Sequence, residues 1–441
     1  MFSKENIAEF LSQLIQVDTT NPPGNETPAA KLVAEKLDEH GIENKVLESE
    51  PGRGSIVAWA KSKEPGPSLL LLSHLDVVPA NFEEWSVDPF SGVIKDGFVW
   101  GRGALDDKGP AAVELFTFIS LVESGKFKGK LIYAATADEE MGGRKGAGWL
   151  VEKHPELVKA DYVINEGGGT EIPGKRGSVF IVQTAEKGVY WLKLAFKGKP
   201  GHASMPKAGK NAVLAAAEAV KRISGHPPPI HTTSHVKIFV EKMLAANGAK
   251  WLAPILFNPL FGDVALNRMP DKQLVAMLDA MLRNTLAPTV ISGGGKVNII
   301  PSSCELKIDC RLLPGHDDKW VQGYLKRTLK GLDYELEFIH REPPTESPIN
   351  TPLFRAITET VKAEVRNAEV SPFMSTGGTD SRFFRRKFGS IAYGFTPLRA
   401  DLPFSEILKM VHGIDERISL RNLEFSYNTL LNTIIKFYGA I

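Results

Sequence analysis

Three short strand-like runs, separated by helical patterns, constrain the fold more than any other feature of the sequence. They span residues 69–72, 131–136 and 161–165, and the first is apolar at every position. A strand without polar alternation is typical of a sheet that has helices on both faces. Strands that alternate with helices favour parallel pairing, because each return in the same direction needs a crossover. The sequence therefore predicts an α/β fold with a mostly parallel sheet covered by helices.

The pattern changes twice along the chain. From about residue 186 the strands alternate apolar and polar residues, and residues 236–290 read as helical and are rich in Leu, Ala and Met. We expect this helical stretch to form core of the inserted unit. The proline-rich segment 341–348 looks like a linker, after which the first pattern resumes. We therefore predict one α/β domain in two parts, residues 1–185 and 344–441, interrupted by an inserted α+β domain at residues 186–343.

Side chains that bind metals follow the three runs where the strands should end. These side chains are His74, Asp76, Glu139, Glu140 and Glu166. Because parallel strands present their carboxyl ends at one edge of the sheet, we expect the side chains to meet there. A further candidate, Asp106, lies in the glycine-bounded turn 101–110, directly before an apolar helical pattern.

The types and spacing of these residues suit a site for two metal ions. Such a site needs nitrogen and oxygen ligands, one carboxylate shared by both ions, and an open position for water. His74 can bind one ion and Asp106 can bridge the two. Asp76, two residues beyond His74, can orient the imidazole instead of binding metal. The neighbouring side chains of Glu139 and Glu140 diverge, so one can bind metal while the other acts as general base.

Each of these residues, taken alone, also fits a purely structural role. An acid at a strand end can be a solvated turn residue, and His74 can be a buried, hydrogen-bonded histidine. Asp106 and Asp107 can cap the helix that follows them. Because several independent placements agree, the set as a whole favours the metal site.

Composition and charge exclude other classes of protein. The chain has 441 residues and a formal net charge of +1, so no overall field attracts nucleic acid or an anionic membrane. No apolar run reaches transmembrane length, and the first residues show no signal-peptide pattern. Cys304 and Cys310 lie on one strand-like segment, where full extension separates them by roughly 20 Å, so they cannot pair with each other. We expect a cytoplasmic protein without nucleic-acid or membrane partners.

Taken together, the motifs resemble the dizinc aminoacylase/carboxypeptidase family, which includes aminoacylases, dipeptidases, succinyl-diaminopimelate desuccinylase and glutamate carboxypeptidases. The motifs are His74-Leu-Asp76, residues 103–109, Asp138-Glu-Glu140, Glu166 and Gly201-His202-Ala. The resemblance covers essentially the whole chain and is nearest the carboxypeptidase S-like branch. It implies a zinc-exopeptidase-like catalytic domain with an inserted lid and dimerisation domain.

The resemblance also implies a ligand set for two Zn²⁺ per chain, with Co²⁺ or Mn²⁺ as alternatives. His74 and Glu166 would be terminal ligands on opposite zincs, and Asp106 would bridge them. Glu140 would join one of the two ions. His412, in the matching segment 411–416, would complete the second site.

The reaction implied is hydrolysis of an amide, with Glu139 as general base. A metal-bridging water would give its proton to Glu139, which would pass it to the leaving amine. The peptide bond between Asp106 and Asp107 would be cis. His202 resembles a histidine that a partner subunit supplies to stabilise the oxyanion, which implies a homodimer through the lid.

A substrate of this family would carry a free carboxylate, which a bidentate arginine suits. The matching substrate-binding positions are Asn298, Arg311, Gly378 and Arg382. Arg311 has a structural alternative, which is an ion pair with Asp309 or Asp317.

Three functions remain open from the sequence. The first is a peptidase, either a carboxypeptidase or a dipeptidase. The second is a deacylase of N-acyl amino acids or a desuccinylase of a biosynthetic intermediate. The third is a non-catalytic protein that binds a small ligand on the same fold, although Glu139 and Asp106 are both present.

Overall fold

The computed structural model describes residues 2–258, 261–269 and 272–440. The first part of the chain contains α1 (Lys4–Gln16), α2 (Thr27–Glu39), β1 (Asn44–Glu48), β2 (Gly54–Lys61), β3 (Leu69–His74), β4 (Ile94–Lys95), β5 (Phe98–Trp100), α3 (Lys108–Ser124), β6 (Lys130–Thr136), α4 (Ala147–Lys153), α5 (Pro155–Val158), β7 (Tyr162–Asn165), β8 (Glu171–Pro173) and β9 (Ser178–Glu186). The middle part contains β10 (Gly188–Lys197), β11 (Gly201–His202), α6 (Ala212–Gly225), α7 (Ser234–Ala246), α8 (Ala253–Leu256), α9 (Gly262–Asn267), α10 (Lys272–Leu282), β12 (Thr285–Gly293), β13 (Ile299–Ile300), β14 (Ser303–Leu312), α11 (Asp318–Thr328) and β15 (Glu335–Glu342). The last part contains β16 (Thr345–Glu346), α12 (Pro352–Glu364), β17 (Ala368–Ser375), α13 (Ser381–Phe388), β18 (Ile391–Gly394), α14 (Phe404–Met410), β19 (Arg417–Ser419) and α15 (Leu420–Gly439).

The large sheet draws its strands from the first and the last part of the chain. Its main path runs β1-β2-β6-β3-β7-β18-β9-β16, and β8 and β17 also pair with β9. Pairing is parallel across β6, β3, β7 and β18 and between β17 and β9. It is antiparallel where β1, β2, β8 and β16 join and between β18 and β9. The predicted mostly parallel sheet is confirmed, with a parallel centre and antiparallel additions towards both edges.

Helices cover both faces of this sheet, as the unbroken apolar run in β3 predicts. Leu69 and Leu71 pack in a core with residues of α1, α2, α3, α12 and α15. Leu70 and Leu72 point to the other face and pack with residues of α4, α5 and α13. All four leucines are 0% exposed. Alternate side chains of one strand therefore enter two separate cores.

Leu71→Ala should lower the free energy of unfolding by about 2–5 kcal/mol, because it leaves a cavity beneath rigid neighbours. Denaturant unfolding of the purified protein measures this loss. Leu214→Ala on α6 is the matched control, since Leu214 is 67% exposed and should change stability by no more than about 0.5 kcal/mol. If Leu71→Ala lowered the free energy of unfolding as little as the control does, Leu71 could not be packed in the core between the sheet and its helices.

A second, four-stranded sheet forms the inserted α+β unit. Its order is β12-β14-β10-β15, with antiparallel pairing throughout. One face buries the alternate side chains Tyr190, Leu192, Leu194 and Phe196 against α6 and α11. The unit begins with β10 directly after β9 and ends with β15 directly before β16, so the chain leaves the large sheet and returns to it. Cys304 and Cys310 both lie on β14, buried and unpaired.

The helical stretch at residues 236–290 does not form core of the second sheet, and our expectation on this point was wrong. Buried Phe239 of α7 and Met281 of α10 pack with Ile181 of β9 and Met374 of β17. Helices α7–α10 therefore cover one end of the large sheet. The prediction of helix also fails at the end of the stretch, where β12 begins.

Among the described residues, none of the helices combines the length and hydrophobicity needed to cross a lipid bilayer.

Candidate metal centre

The candidate metal-binding side chains collect at the carboxyl edge of the parallel strands. His74 is the last residue of β3, and Glu139 and Glu140 lie in the short 3₁₀ turn that follows β6. Glu166 directly follows β7. Since β6, β3 and β7 are neighbours and run in parallel, their ends meet at one place. Asp106 joins them from the turn before α3.

Asp106 lies between two histidines and offers one carboxylate oxygen to each. Its Oδ1 lies 3.0 Å from Nε2 of His74, and its Oδ2 lies 3.1 Å from Nε2 of His412. Nε2 of His412 is also 3.1 Å from Oε2 of Glu140. On the other side, Nε2 of His74 is 4.0 Å from Oε2 of Glu166. This is the arrangement of a carboxylate shared by two cations.

These distances do not fit the expected placement of His74 and Glu166 on opposite zincs. The two side chains lie together on one side of Asp106, at a spacing suited to a single ion. Glu140 lies 3.1 Å from His412 on the other side, and one of its carboxylate oxygens is also within 4.8 Å of ligand atoms of His74 and Asp106.

The charges of the centre fit bound cations. Burial, and after it the neighbouring charge of Glu166, raise the pKa of Glu139 well above its usual range. Burial and the charge of Asp106 raise the pKa of Glu166 in the same way. Oε1 of Glu140 is buried without a hydrogen-bond partner. Cations between these groups would relieve the repulsion and give the unpaired oxygen a partner. Histidine nitrogen and carboxylate oxygen are ligands that Zn²⁺ takes.

Both histidines interact strongly with the shared carboxylate. Hydrogen bonds to Asp106 and Glu140 raise the pKa of His412 to about 10. For His74, burial opposes protonation, but its bonds to Asp106 and Asp76 outweigh burial and raise the pKa. The pKa of Asp106 is lowered, because the bonds from the two histidines outweigh its burial.

Asp76 orients both His74 and the turn that carries Glu139 and Glu140. Nδ1 of His74 is 3.0 Å from the main-chain oxygen of Asp76 and 3.5 Å from its Oδ1. The Asp76 carboxylate accepts the N–H of Glu139 at 3.0 Å and that of Glu140 at 3.1 Å. It also accepts a bond from Nδ2 of Asn21 at 2.8 Å. The imidazole is thus held mainly by a main-chain oxygen, and the carboxylate mainly holds the two acids.

The structure also shows a supporting residue that sequence reasoning missed, Glu416. This side chain is 0% exposed, and its Oε1 accepts the N–H groups of Leu105 and Asp106 at 2.7 and 3.0 Å. Its Oε2 is 2.7 Å from Nη1 of Arg102. The peptide bond between Asp106 and Asp107 is cis, as the family resemblance implied. The only sequence signal for Glu416 was its place in the segment that also contains His412.

Two of the four predicted substrate-binding residues lie beside the turn of Glu139. Arg382 is 7% exposed, and its Nη2 donates to the carbonyl oxygen of Gly142, which ends that turn. A Cβ on Gly378 would lie 3.2 Å from Nη1 of Arg382. Asp380, in the same glycine-rich segment, was missed; it is buried and accepts a bond from Thr136 Oγ1 at 3.0 Å. Burial raises the pKa of Asp380 to about 7.

The other predicted residues lie on the inserted unit. His202 is exposed, and its Nδ1 is 2.7 Å from Oγ of Ser204. Asn298 lies beside it, since its carbonyl oxygen accepts the N–H of Ala203. Arg311 forms two bonds to Asp309, at 2.7 and 3.0 Å, as in its structural alternative. Over the part of the chain that the structure describes, no hydrogen bond or ion pair joins these residues to the metal-binding side chains.

Comparisons with known proteins identify a family. A model of peptidase family M20/M25/M40 matches residues 70–436. The chain is 29% identical over 396 residues to a probable carboxypeptidase S-like 2 of Dictyostelium discoideum, covering 86% of this chain and 74% of that protein. It is 32% identical over 373 residues to an N-fatty-acyl-amino acid synthase/hydrolase of Xenopus tropicalis, covering 80% of this chain and 69% of that protein.

A solved structure shares the fold. The M20 family metallo-carboxypeptidase Sso-CP2 from Sulfolobus solfataricus superimposes with a TM-score of 0.72 at 20% identity, over 100% of both chains. The family match extends over most of the sequence, and the candidate ligands lie within the matched range. The chain therefore belongs to peptidase family M20/M25/M40 and is a metal-dependent amidohydrolase.

Proposed function

We propose that the chain hydrolyses an amide bond in a small peptide or N-acyl amino acid that carries a free carboxylate. The observation that carries this proposal is the placement of Asp106 between His74 and His412, with Glu139 beside them. His74, Asp106 and Glu166 would hold one Zn²⁺, and His412, Asp106 and Glu140 would hold the other. Zn²⁺ bound there would polarise the substrate carbonyl and lower the pKa of the attacking water.

Glu139 is the general base of this proposal. It accepts the proton of the water that attacks the carbonyl carbon and returns it to the nitrogen of the leaving amine. Its position supports the role, because Asp76 holds its main-chain N–H and one of its carboxylate oxygens lies within 4.8 Å of ligand atoms of His74 and Glu166. Asp76 is then a positioning residue for both Glu139 and His74.

The substrate carboxylate would bind arginine. Arg382 supports this, since it lies beside the turn of Glu139 and its Nε is buried with no protein partner among the described residues. Gly378 would let the substrate approach Arg382 closely. Arg311 would contribute once its bonds to Asp309 open, and Asn298 would contact the substrate from the inserted unit.

His202 would act from a second copy of the chain. Its exposed position, away from the metal-binding group of its own chain, supports a homodimer through the inserted unit at residues 186–343. The imidazole would donate a hydrogen bond to the oxyanion that forms on the substrate carbonyl. The unpaired cysteines support a reducing compartment such as the cytoplasm.

Two substrate classes compete, and the relatives include both. One relative is described as carboxypeptidase S-like, which supports a peptide substrate. Another is described as an N-fatty-acyl-amino acid synthase/hydrolase, which supports an N-acyl amino acid. We place the peptide first and the N-acyl amino acid second.

Turnover of a mixed panel of dipeptides and N-acyl amino acids tests the proposal. Metal-free protein should be inactive, and Zn²⁺, Co²⁺ or Mn²⁺ should restore activity because the water needs a cation to attack at neutral pH. The better substrate class separates peptidase from deacylase. Two metals bound per chain without turnover on any amide would contradict the proposal and favour the small-ligand-binding alternative.

A further inference from the structure

A buried arginine, Arg53, lies behind the turn that carries Glu139 and Glu140. Its side chain is 5% exposed, and it directly precedes β2. We propose that Arg53 positions this turn for catalysis and that residues 21–24, Asn-Pro-Pro-Gly, form the cradle that holds it. The inference rests on the proposed roles of Glu139 and Glu140.

The guanidinium of Arg53 joins two separate segments, residues 21–26 and the residue before the turn, Asp138. Its Nη2 lies 2.7 Å from Oδ1 of Asp138 and 3.0 Å from Oε1 of Glu26. Its Nη1 donates to Oδ1 of Asn21 at 3.0 Å and to the carbonyl oxygen of Pro23 at 2.6 Å. Bonds between charged, buried partners are short and directional, so the guanidinium fixes these segments relative to one another.

Asp138 transmits this constraint to the catalytic turn. It directly precedes Glu139 and has a left-handed backbone, with φ 73°. This region is uncommon for residues other than glycine, although aspartate adopts it more readily than most. One carboxylate oxygen of Asp138 binds Arg53, and the other accepts the N–H of Lys145 at 2.9 Å. The carboxylate therefore ties the residue before the turn, Asp138, to Lys145, which follows the turn.

Asn21 provides a second connection between Arg53 and the catalytic turn. Its Oδ1 accepts from Arg53, and its Nδ2 donates to Oδ2 of Asp76 at 2.8 Å. Asp76 in turn accepts the N–H groups of Glu139 and Glu140. Arg53 thus orients the side-chain amide of Asn21, and this amide orients the carboxylate of Asp76. The Asp76 carboxylate in turn holds the main chain of both glutamates.

Gly24 leaves the space that the guanidinium occupies. Its φ is +86°, and a Cβ at this position would lie 1.7 Å from Nη1 of Arg53. Gly52 has almost the same backbone conformation, with φ +83°, but apart from its chain neighbours the nearest atom to a Cβ there is Oδ1 of Asn25, 3.8 Å away. A Cβ at Gly24 would therefore clash with the guanidinium of Arg53, whereas a Cβ at Gly52 clashes with no residue beyond its chain neighbours. The backbone penalty for alanine is similar at the two glycines.

Four variants test the proposal as a set: Gly24→Ala, Gly52→Ala, Arg53→Lys and Asn21→Ala. Gly24→Ala and Arg53→Lys should lower kcat by about 30- to 100-fold with KM nearly unchanged, because a base displaced by about 1 Å loses on the order of 10²-fold in rate. Lysine keeps the charge but cannot form the planar fork. Asn21→Ala keeps the cradle glycine and should lower kcat by about tenfold. Gly52→Ala should lower Tm through the backbone penalty alone and leave kcat within about twofold of the wild type.

Zinc affinity gives a readout that needs no substrate. Competition between the metal-free protein and a chromophoric zinc chelator should show about 10- to 100-fold weaker binding for Gly24→Ala and Arg53→Lys, because Glu140 shifts with the turn. Equal kcat and equal zinc affinity for Gly24→Ala and Gly52→Ala would overturn the proposal and leave Arg53 a residue of stability alone. If the wild type turns over no amide, the proposed function fails, but the zinc affinities still show whether Arg53 positions the turn. The two proposals can therefore fail separately.

Discussion

Replacing Glu139 with glutamine is expected to lower kcat by about 10²- to 10⁴-fold while both metals stay bound. Glutamine has the shape of glutamate but cannot take a proton from water. The metal-binding group we assign, centred on Asp106, does not include Glu139. The main-chain bond from Glu139 to Asp76 is also unaffected by this change. Steady-state kinetics and metal content per chain, measured on the same sample, test both halves of the prediction.

The control for this variant is Glu305→Gln, which removes an exposed acid of β14. It should match the wild type in rate and metal content. If Glu139→Gln retained activity within about tenfold of the wild type, a different group would have to be the base. If it instead lost one metal, Glu139 would be a ligand and Glu140 the candidate base.

Asp106→Ala is expected to remove metal as well as activity. Asp106 contributes one oxygen beside each histidine, so its loss weakens both positions at once. Metal content should fall from two to below one per chain. Since a bound metal stabilises charge in the transition state by several kcal/mol, activity should fall by about 10³-fold or more. Dialysis against a low zinc concentration, followed by metal analysis, measures the first effect.

Asp333→Ala serves as the control for this change, because Asp333 is exposed and lies on the inserted unit. Two metals retained by Asp106→Ala would exclude Asp106 as the shared ligand. A protein that keeps one metal tightly would show that one side of the centre binds independently of the other.

Local sequence was sufficient to predict the sheet and the edge at which the candidate metal-binding residues meet. The apolar run in β3 fills two cores because alternate side chains of one strand point to opposite faces. His74, Glu139 and Glu166 each stand within a few residues of a strand end. Parallel pairing of those strands is then enough to bring them together. The recognition of the family added His412, which no strand pattern marked.

Tertiary structure alone decided how the side chains are grouped and supported. Arg53 contacts Asp138 across 85 residues of chain, and Glu416 contacts Asp106 across 310. A single contact between distant residues leaves no periodic pattern in the sequence. Neither the contact of Arg53 with Asp138 nor that of Glu416 with Asp106 could therefore be predicted. The placement of His74 and Glu166 on the same side of Asp106 depends on the same long-range geometry.

The position of helices α7–α10 illustrates the same limit at the level of whole elements. Their composition correctly indicated helices with buried faces, but the expectation that they fill the inserted unit was wrong. An apolar face shows that a helix must pack against something, and only the assembled fold decides which surface covers it. By itself, the sequence of this chain determined its strands, its helices and the chemistry at the strand ends. The three-dimensional packing decided which faces, charges and ligands meet, because those contacts join residues far apart in the chain.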